Sequence, residues 1–377
     1  MTLGFGRWAA VLFLAVAGVG GAFADAIHEA VVRGDVATVR AMLQADPKLV
    51  FRRDASPQTE ATNKAISNLI LFLKNQSEYA NDRPEPGEVP LFYAVVANQP
   101  AVAELLLAHR AEVNVRGRAG LTPLHMAAFE GNVDMVKFLL ARQARVDARA
   151  DHGITPLFMA AAKGREDAAM VLLASNADVN ARSSGRVTPL YLAVNGNHTN
   201  LVKRLLAQRA AVNAKTFYGQ TPLFAAADHG DGEMVKLLLA AGADPNIKNY
   251  SGVTPLHVAA RNDRAAVVAL LVAGQAEVNR RDNNDITPLI EAANKGFADV
   301  IAALLAGHPD LNMRAYNNTT ALHFAAGKGY RPVVELLVNA NAKVNLKDDG
   351  GYTPMHAAAE NGFKDIVEFL RQHGGHE

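Results

Sequence analysis

Twelve histidines are the side chains best equipped for chemistry in this chain of 377 residues, because imidazole ligates metals and moves protons near neutral pH. Their placement argues against both uses. Five of them, His28, His125, His257, His323 and His356, share one position of a recurring tetrapeptide, and other copies hold Phe92, Phe158, Tyr191, Phe224 or Ile290 there. A position that accepts rings and aliphatics asks for packing rather than proton transfer. His373 and His376 with Glu377 lie in a glycine-containing tail and could chelate zinc weakly, but a zinc site needs three or four fixed ligands, so the tail reads as a frayed end. Asp228-His229-Gly230-Asp231-Gly232 is acidic and glycine-rich, yet lacks the spacing and final Glu of a calcium loop. No nucleophile elbow, zinc helix or phosphate loop occurs after the leader. Asn197-His198-Thr199 and Asn249-Tyr250-Ser251 are glycosylation triplets, relevant in a eukaryotic source only. The expectation is no catalytic residue, no metal and no cofactor. What remains is the chemistry of a binding surface.

Those surfaces must be carried by elements that pack without help. Half the residues are apolar, a fifth are charged and none is cysteine, so disulfides contribute nothing. Alanine dominates the apolar fraction and aromatics are few, which suits thin helices packed closely. Met1–Arg7 carries one base, Trp8–Val19 is apolar, and Ala22-Phe23-Ala24 has the small-x-small pattern of a processing site. This reads as an export signal over 1–24, cut before Asp25. An uncleaved anchor is the competing reading, but a dozen residues fall short of the ~20 that a bilayer requires. No cysteine is available for lipid attachment. Without Arg7 the 38 bases become 37, matching the 37 acids. That balance argues against nucleic acid as the main partner, since phosphate binding needs a clustered basic surface.

Internal repetition organises everything after the leader. Thr122-Pro123-Leu124-His125 returns at Thr155, Thr188, Thr221, Thr254, Thr287, Thr320 and Thr353, always 33 residues on, and Val89-Pro90-Leu91-Phe92 precedes them on the same lattice. Thr caps a helix whose first residue is Pro, where the missing N–H costs nothing. A small residue sits five after each Thr, from Ala94 to Ala358, and lets neighbouring helices approach. Nine after the Thr come Asn98, Gly131, Gly164, Asn197, Gly230, Asp263, Gly296, Gly329 and Gly362, residue types that tolerate a left-handed helix end. A second helix follows, with a leucine seventeen after the Thr in every copy, Leu106 to Leu370. An Ala-x-Val-Asn run then leads to a turn residue two before the next Thr. That residue is Gly, Asn or Asp everywhere except Arg186, whose neighbour Gly185 offers itself as a replacement.

Two helices, a long turn, a 33-residue period and Thr-Pro-Leu-His-x-Ala together resemble the ankyrin repeat. The resemblance implies an all-α solenoid of paired antiparallel helices joined by long β-turn-like loops. It also implies that the motif histidines tie adjacent turns together by hydrogen bonds. Backwards extension of the lattice places a degenerate repeat at 56–88, with Ala61, Leu73 and Asn81 on register, and a first capping repeat at 25–55. With eight regular repeats over 89–352 and a capping repeat at 353–377, the count is about eleven. Lys364, Asp365, Glu368 and Arg371 would keep the last repeat's open end soluble.

The resemblance further implies partner contacts on the turn tips and first-helix ends of a concave face. Those positions hold Phe217, Tyr218, Gln220, Tyr250, Tyr316, Asn317 and Tyr352 on turns, and Phe129, Glu130, Asp228, His229 and Arg261 at helix ends. Aromatic anchors dominate interface energetics, which favours the C-terminal half, although each ring could also pack on its neighbouring turn. The expected function is a non-catalytic, monomeric protein-binding module, periplasmic or secreted, with no membrane contact after cleavage and an unidentified protein partner. The alternatives are a secreted effector aimed at a host or competitor protein and, remotely, an enzyme built on the repeats.

Overall fold

A computed structural model describes residues 22–53 and 89–376. Among the described residues there are twenty α-helices and no strand, and none is long and apolar enough to cross a membrane. The helices fall into two compact units, one reaching Ala193 and the other starting at Val194.

Each repeat begins as its sequence requires. Thr155, Thr221, Thr287 and Thr353 are extended residues whose hydroxyls accept the N–H three residues on, and Pro occupies the first helical turn. The first helix ends nine residues after the Thr, in left-handed backbone at every one of the nine expected positions. The alanine five after the Thr and the leucine seventeen after it are buried throughout. Full burial of one such leucine contributes about 1.5–3 kcal/mol, so the lattice of leucines is the spine of each unit.

In the first unit, helix pairs Ala22–Val32/Val36–Ala45, Pro90–Val96/Pro100–Ala108, Pro123–Glu130/Val133–Ala141 and Pro156–Ala162/Glu166–Ala174 pack first helix on first throughout, and second on second within the first two pairs and within the last two. One packing contact there departs from expectation, although the degenerate repeat at 56–88 itself lies outside the described residues. Helix Ala22–Val32 packs directly on Pro90–Val96, His28 lies 4.8 Å from the Tyr93 ring, and Gln99 donates to the carbonyl of Val32. The reason is the fully buried Tyr93 and Phe92, which need a partner face that Ile27, Ala30 and Val31 supply. The short connection after Val36–Ala45 is a 3-10 turn, Pro47–Phe51, capped by the Asp46 carboxylate and burying Leu49 and Val50. The signal segment also lies outside the described residues up to Gly21, and the expected cut after Ala24 falls in the first turn of helix Ala22–Val32.

The second unit holds Thr199–Ala207 and the pairs Pro222–His229/Gly232–Ala240, Pro255–Arg261/Ala265–Ala273, Pro288–Lys295/Ala298–Leu305, Ala321–Gly327/Arg331–Asn339 and Pro354–Glu360/Lys364–Gln372. Helix Pro189–Asn195 crosses the boundary between the units.

The asparagine of the Ala-x-Val-Asn run has a role that spacing alone left open. Asn246 donates from Nδ2 to the Gln275 carbonyl (3.1 Å) and accepts the Glu277 N–H (2.7 Å), one repeat further on. Asn114, Asn213 and Asn345 make the same pair of bonds. The last of these corrects the frayed-tail expectation. His376 donates its N–H to Asn345, its carbonyl accepts the Thr353 hydroxyl, and the His373 ring lies 4.2 Å from Phe369. The tail stands in the register of the Ala-x-Val-Asn run of the last repeat, so it is held by the same bonds. Lys364, Asp365, Glu368 and Arg371 are exposed on that end, as expected. At the irregular turn, Arg186 itself takes the left-handed conformation (φ 56°) and Gly185 does not. The turn is closed around it by Arg186 N–H to Ser183 and Val187 N–H to the Ser183 hydroxyl.

Candidate protein-binding surface

The tips begin from the motif histidines. In His125, His257 and His323, Nδ1 accepts the N–H of the preceding Thr, and Nε2 lies 3.0–3.1 Å from a carbonyl in the next turn: Ile154, Ile286 and Tyr352. Since Nδ1 is the acceptor, Nε2 carries the proton and donates. The neutral tautomer is therefore built in, and burial pushes the pKa of His125 and His257 down to about 4 and lowers that of His323. The inter-turn role expected of these histidines holds for the three. His356 instead stacks on the Tyr352 ring, 4.3 Å apart at 10°. His28 packs on Tyr93, and the turn it would reach lies outside the described residues.

Neighbouring tips in the second unit are also joined backbone to backbone. Tyr250 N–H donates to the Tyr218 carbonyl (3.2 Å), Asn283 to Ser251 (3.0 Å) and Asp349 to Asn317 (3.1 Å). Gly219 is required here twice over. Its φ is +79°, and a Cβ would meet the Asn249 Cα at 3.0 Å and the Tyr250 nitrogen at 3.1 Å. The result is a ladder of tips in two joined runs, 218–283 and 317–349, rather than independent loops.

Of the six large apolar or aromatic side chains left exposed among the described residues, five are on this ladder: Phe217, Tyr218, Tyr250, Tyr316 and Tyr352. Tyr316 is the most open at 79%. Phe217 and Tyr218 meet edge to face, with centroids 5.6 Å apart. Asn317 is exposed beside Tyr316, and Gln220 is half-buried. The sixth exposed ring, Phe51, follows the first helix pair and was not anticipated, because the 3-10 turn that presents it departs from the lattice.

The helix ends behave differently from the tips. Phe129 is buried at 6%, with the Lys163 ammonium 4.8 Å over its ring and Arg165 donating to its carbonyl. It belongs to a seam and leaves the set of surface candidates, while Glu130 beside it is half-buried. Asp228, His229 and Arg261 are exposed, but each already bonds within the unit. Asn262 donates to Asp228 (2.6 Å), Arg261 pairs with Glu291 (2.5 Å), and His229 lies 3.3 Å from the Asn195 amide oxygen. The first-helix face is thus polar and internally satisfied, whereas the tips are aromatic. His229 also lines a small open cleft with Val194, Asn197, Ala226, Gly230, Asp231 and Met234. No group of three metal-ligating side chains occurs among the described residues.

One column of the ladder escaped the sequence reading. Lys215, Lys248, Arg281, Arg314 and Lys347 stand six residues before successive Thr residues. Lys215 reaches the Lys248 carbonyl (3.3 Å), Lys248 that of Arg281 (2.9 Å) and Arg314 that of Lys347 (3.2 Å). The signal was the same 33-residue spacing that revealed the threonines.

A family model described as ankyrin repeats in three copies matches residues 91–183, 183–249, 241–315 and 289–377. The chain belongs to the ankyrin repeat family. Ankyrin repeats are in general protein–protein interaction modules and typically non-catalytic, so the aromatic tips are exposed rings on an ankyrin scaffold. A search of curated proteins finds none that matches.

Proposed function

We propose that this ankyrin chain is an exported, non-catalytic binding module whose partner is a protein held on the turn tips between Phe217 and Tyr352. The observation that carries the reading is the concentration of exposed rings on the backbone-linked tips. Rigid aromatic anchors supply contact area at low entropic cost and commonly contribute ~2 kcal/mol or more each. The first-helix ends contribute less, because Asp228 and Arg261 would have to exchange partners they already hold. Export rests on the apolar leader and small-x-small site at Ala22–Ala24, and the address is the periplasm or the medium. The test is the triple substitution of Phe217, Tyr218 and Tyr250 by Ala. Affinity for the partner recovered from the producing cell's envelope or medium should fall at least tenfold, with helicity and melting unchanged. Unchanged affinity would remove the tips from the account.

A further inference from the structure

Three features lie apart from the ring contacts: the His229 cleft, the Phe51 ring and the column of cations beside the aromatic tips. The cleft lacks a buried polar group aimed into it, and Phe51 stands apart from any second feature. The column goes further. Of the five tips between Lys215 and Tyr352, three carry a cation with no acid in the same turn: Lys215-Thr216-Phe217-Tyr218, Lys248-Asn249-Tyr250-Ser251 and Arg314-Ala315-Tyr316-Asn317. These are the three that carry a ring two residues after the cation. The other two, at Arg281 and Lys347, hold Asp282 and Asp285, or Asp348 and Asp349, and have Asn283 and Asp349 in the ring position. Within these five tips ring and unopposed cation occur together, whereas the earlier turns at Arg116 and Arg182 have the cation and no acid but no ring.

Lys215 and Lys248 are adjacent in space, since the Lys215 ammonium donates to the Lys248 carbonyl and Tyr250 is bonded to Tyr218. Each ammonium has three donors, so one carbonyl leaves capacity for a carboxylate. The nearest acids on the following tip are committed. Asp285 pairs with Arg281 at 3.2 Å, and Asp282 accepts the N–H groups of Asn284 and Ile286. Of the nearby first-helix acids, Asp228 holds Asn262 and Asp231 caps Gly232–Ala240 through the Met234 N–H.

We infer that the patch formed by Lys215, Lys248, Phe217, Tyr218 and Tyr250 takes an extended acidic segment of a protein partner, carboxylates on the ammonium groups and apolar side chains on the rings. This rests on the protein-binding role proposed above and names the chemistry it selects. Packed helices stand about 8–10 Å apart. With a polyproline-II backbone, which rises about 3.1 Å per residue and turns once every three, acids three residues apart share one face and match cations one repeat apart.

The probe is a labelled peptide of five Glu-Leu-Gly triplets, titrated against the full mature chain at low and at physiological salt. Its Lys-Leu-Gly counterpart and a single-stranded oligonucleotide serve as comparisons. The acidic peptide should bind, weaken with salt, and lose at least tenfold in affinity in the K215E/K248E variant, which should keep the parent's helicity at the assay temperature although it gives up the two carbonyl contacts. Equal binding of the basic peptide, or stronger binding of the oligonucleotide, would overturn the inference. So would acidic-peptide binding that K215E/K248E leaves unchanged. If the acidic peptide fails to bind while the ring-to-alanine variant still loses the natural partner, the acidic specificity falls and the binding role stands. If the ring variant also keeps that partner, both fall.

Discussion

At the scale of single residues, the histidines and the left-handed positions carry the consequences most easily measured. His125 and His257 are neutral when folded, with pKa values near 4, below the ~6.5 of an exposed histidine. Between those values the unfolded chain binds more protons than the folded one, so acidification costs stability. The melting temperature should be level above about pH 6.5 and fall steadily towards pH 4. The slope reaches about 1.4 kcal/mol per pH unit for each such histidine, and His257→Phe should make it shallower. A melting temperature independent of pH across that window would contradict the account. Arg186 gives the opposite kind of test. It holds φ 56° without the Gly, Asn or Asp that the other turns use, a strain of about 1 kcal/mol for an L-residue. Arg186→Gly should raise the urea midpoint by an amount equivalent to about 0.5–1 kcal/mol, and a lowered midpoint would count against it. Threonine caps and glycine helix ends were legible in the sequence because each answers a local steric demand repeated along the chain. The left-handed residues after the second helix, among them Arg110, Gln143, Arg209 and Gln275, were not, because no common residue type marks them. Phe129 was misplaced for a different reason. Its burial depends on Lys163 and Arg165 of the next repeat, which its own turn does not encode.

At the scale of elements, helix pairing followed from the period, and the stacking order at the N-terminal end did not. The lattice positions of Ala61 and Leu73 made 56–88 look like a unit between the first repeat and the one at Val89. The packing of Ala22–Val32 on Pro90–Val96 instead puts those two in direct contact. A register match tests spacing, whereas adjacency is decided by which apolar faces fit, and Tyr93 fits against His28. Tyr93→Ala should therefore detach the first helix pair, at a cost of about 3–5 kcal/mol. Hydrogen exchange would show it as lost protection over 27–43 with protection in 222–372 retained. Protection unchanged over 27–43 would mean that another face holds the pair. The aromatic tips were legible as residues, and Tyr218 and Tyr250 were named together. Their backbone bond and the cation column beneath them appear only when successive turns are brought side by side.

At the scale of the whole molecule, an ankyrin chain distributes its stability over neighbour-to-neighbour seams, so the residues left out of those seams are the ones available for a partner. Nearly every large apolar side chain among the described residues is committed to a seam, and the rings on the tips between Phe217 and Tyr352 are the chief exception. The most direct test of that division of labour is the dissociation constant for the natural partner measured on the mature chain and on the Phe217, Tyr218 and Tyr250 triple-alanine variant. The account predicts a loss of at least tenfold with the melting temperature held. Equal affinities, or a loss explained by unfolding of the variant, would contradict it.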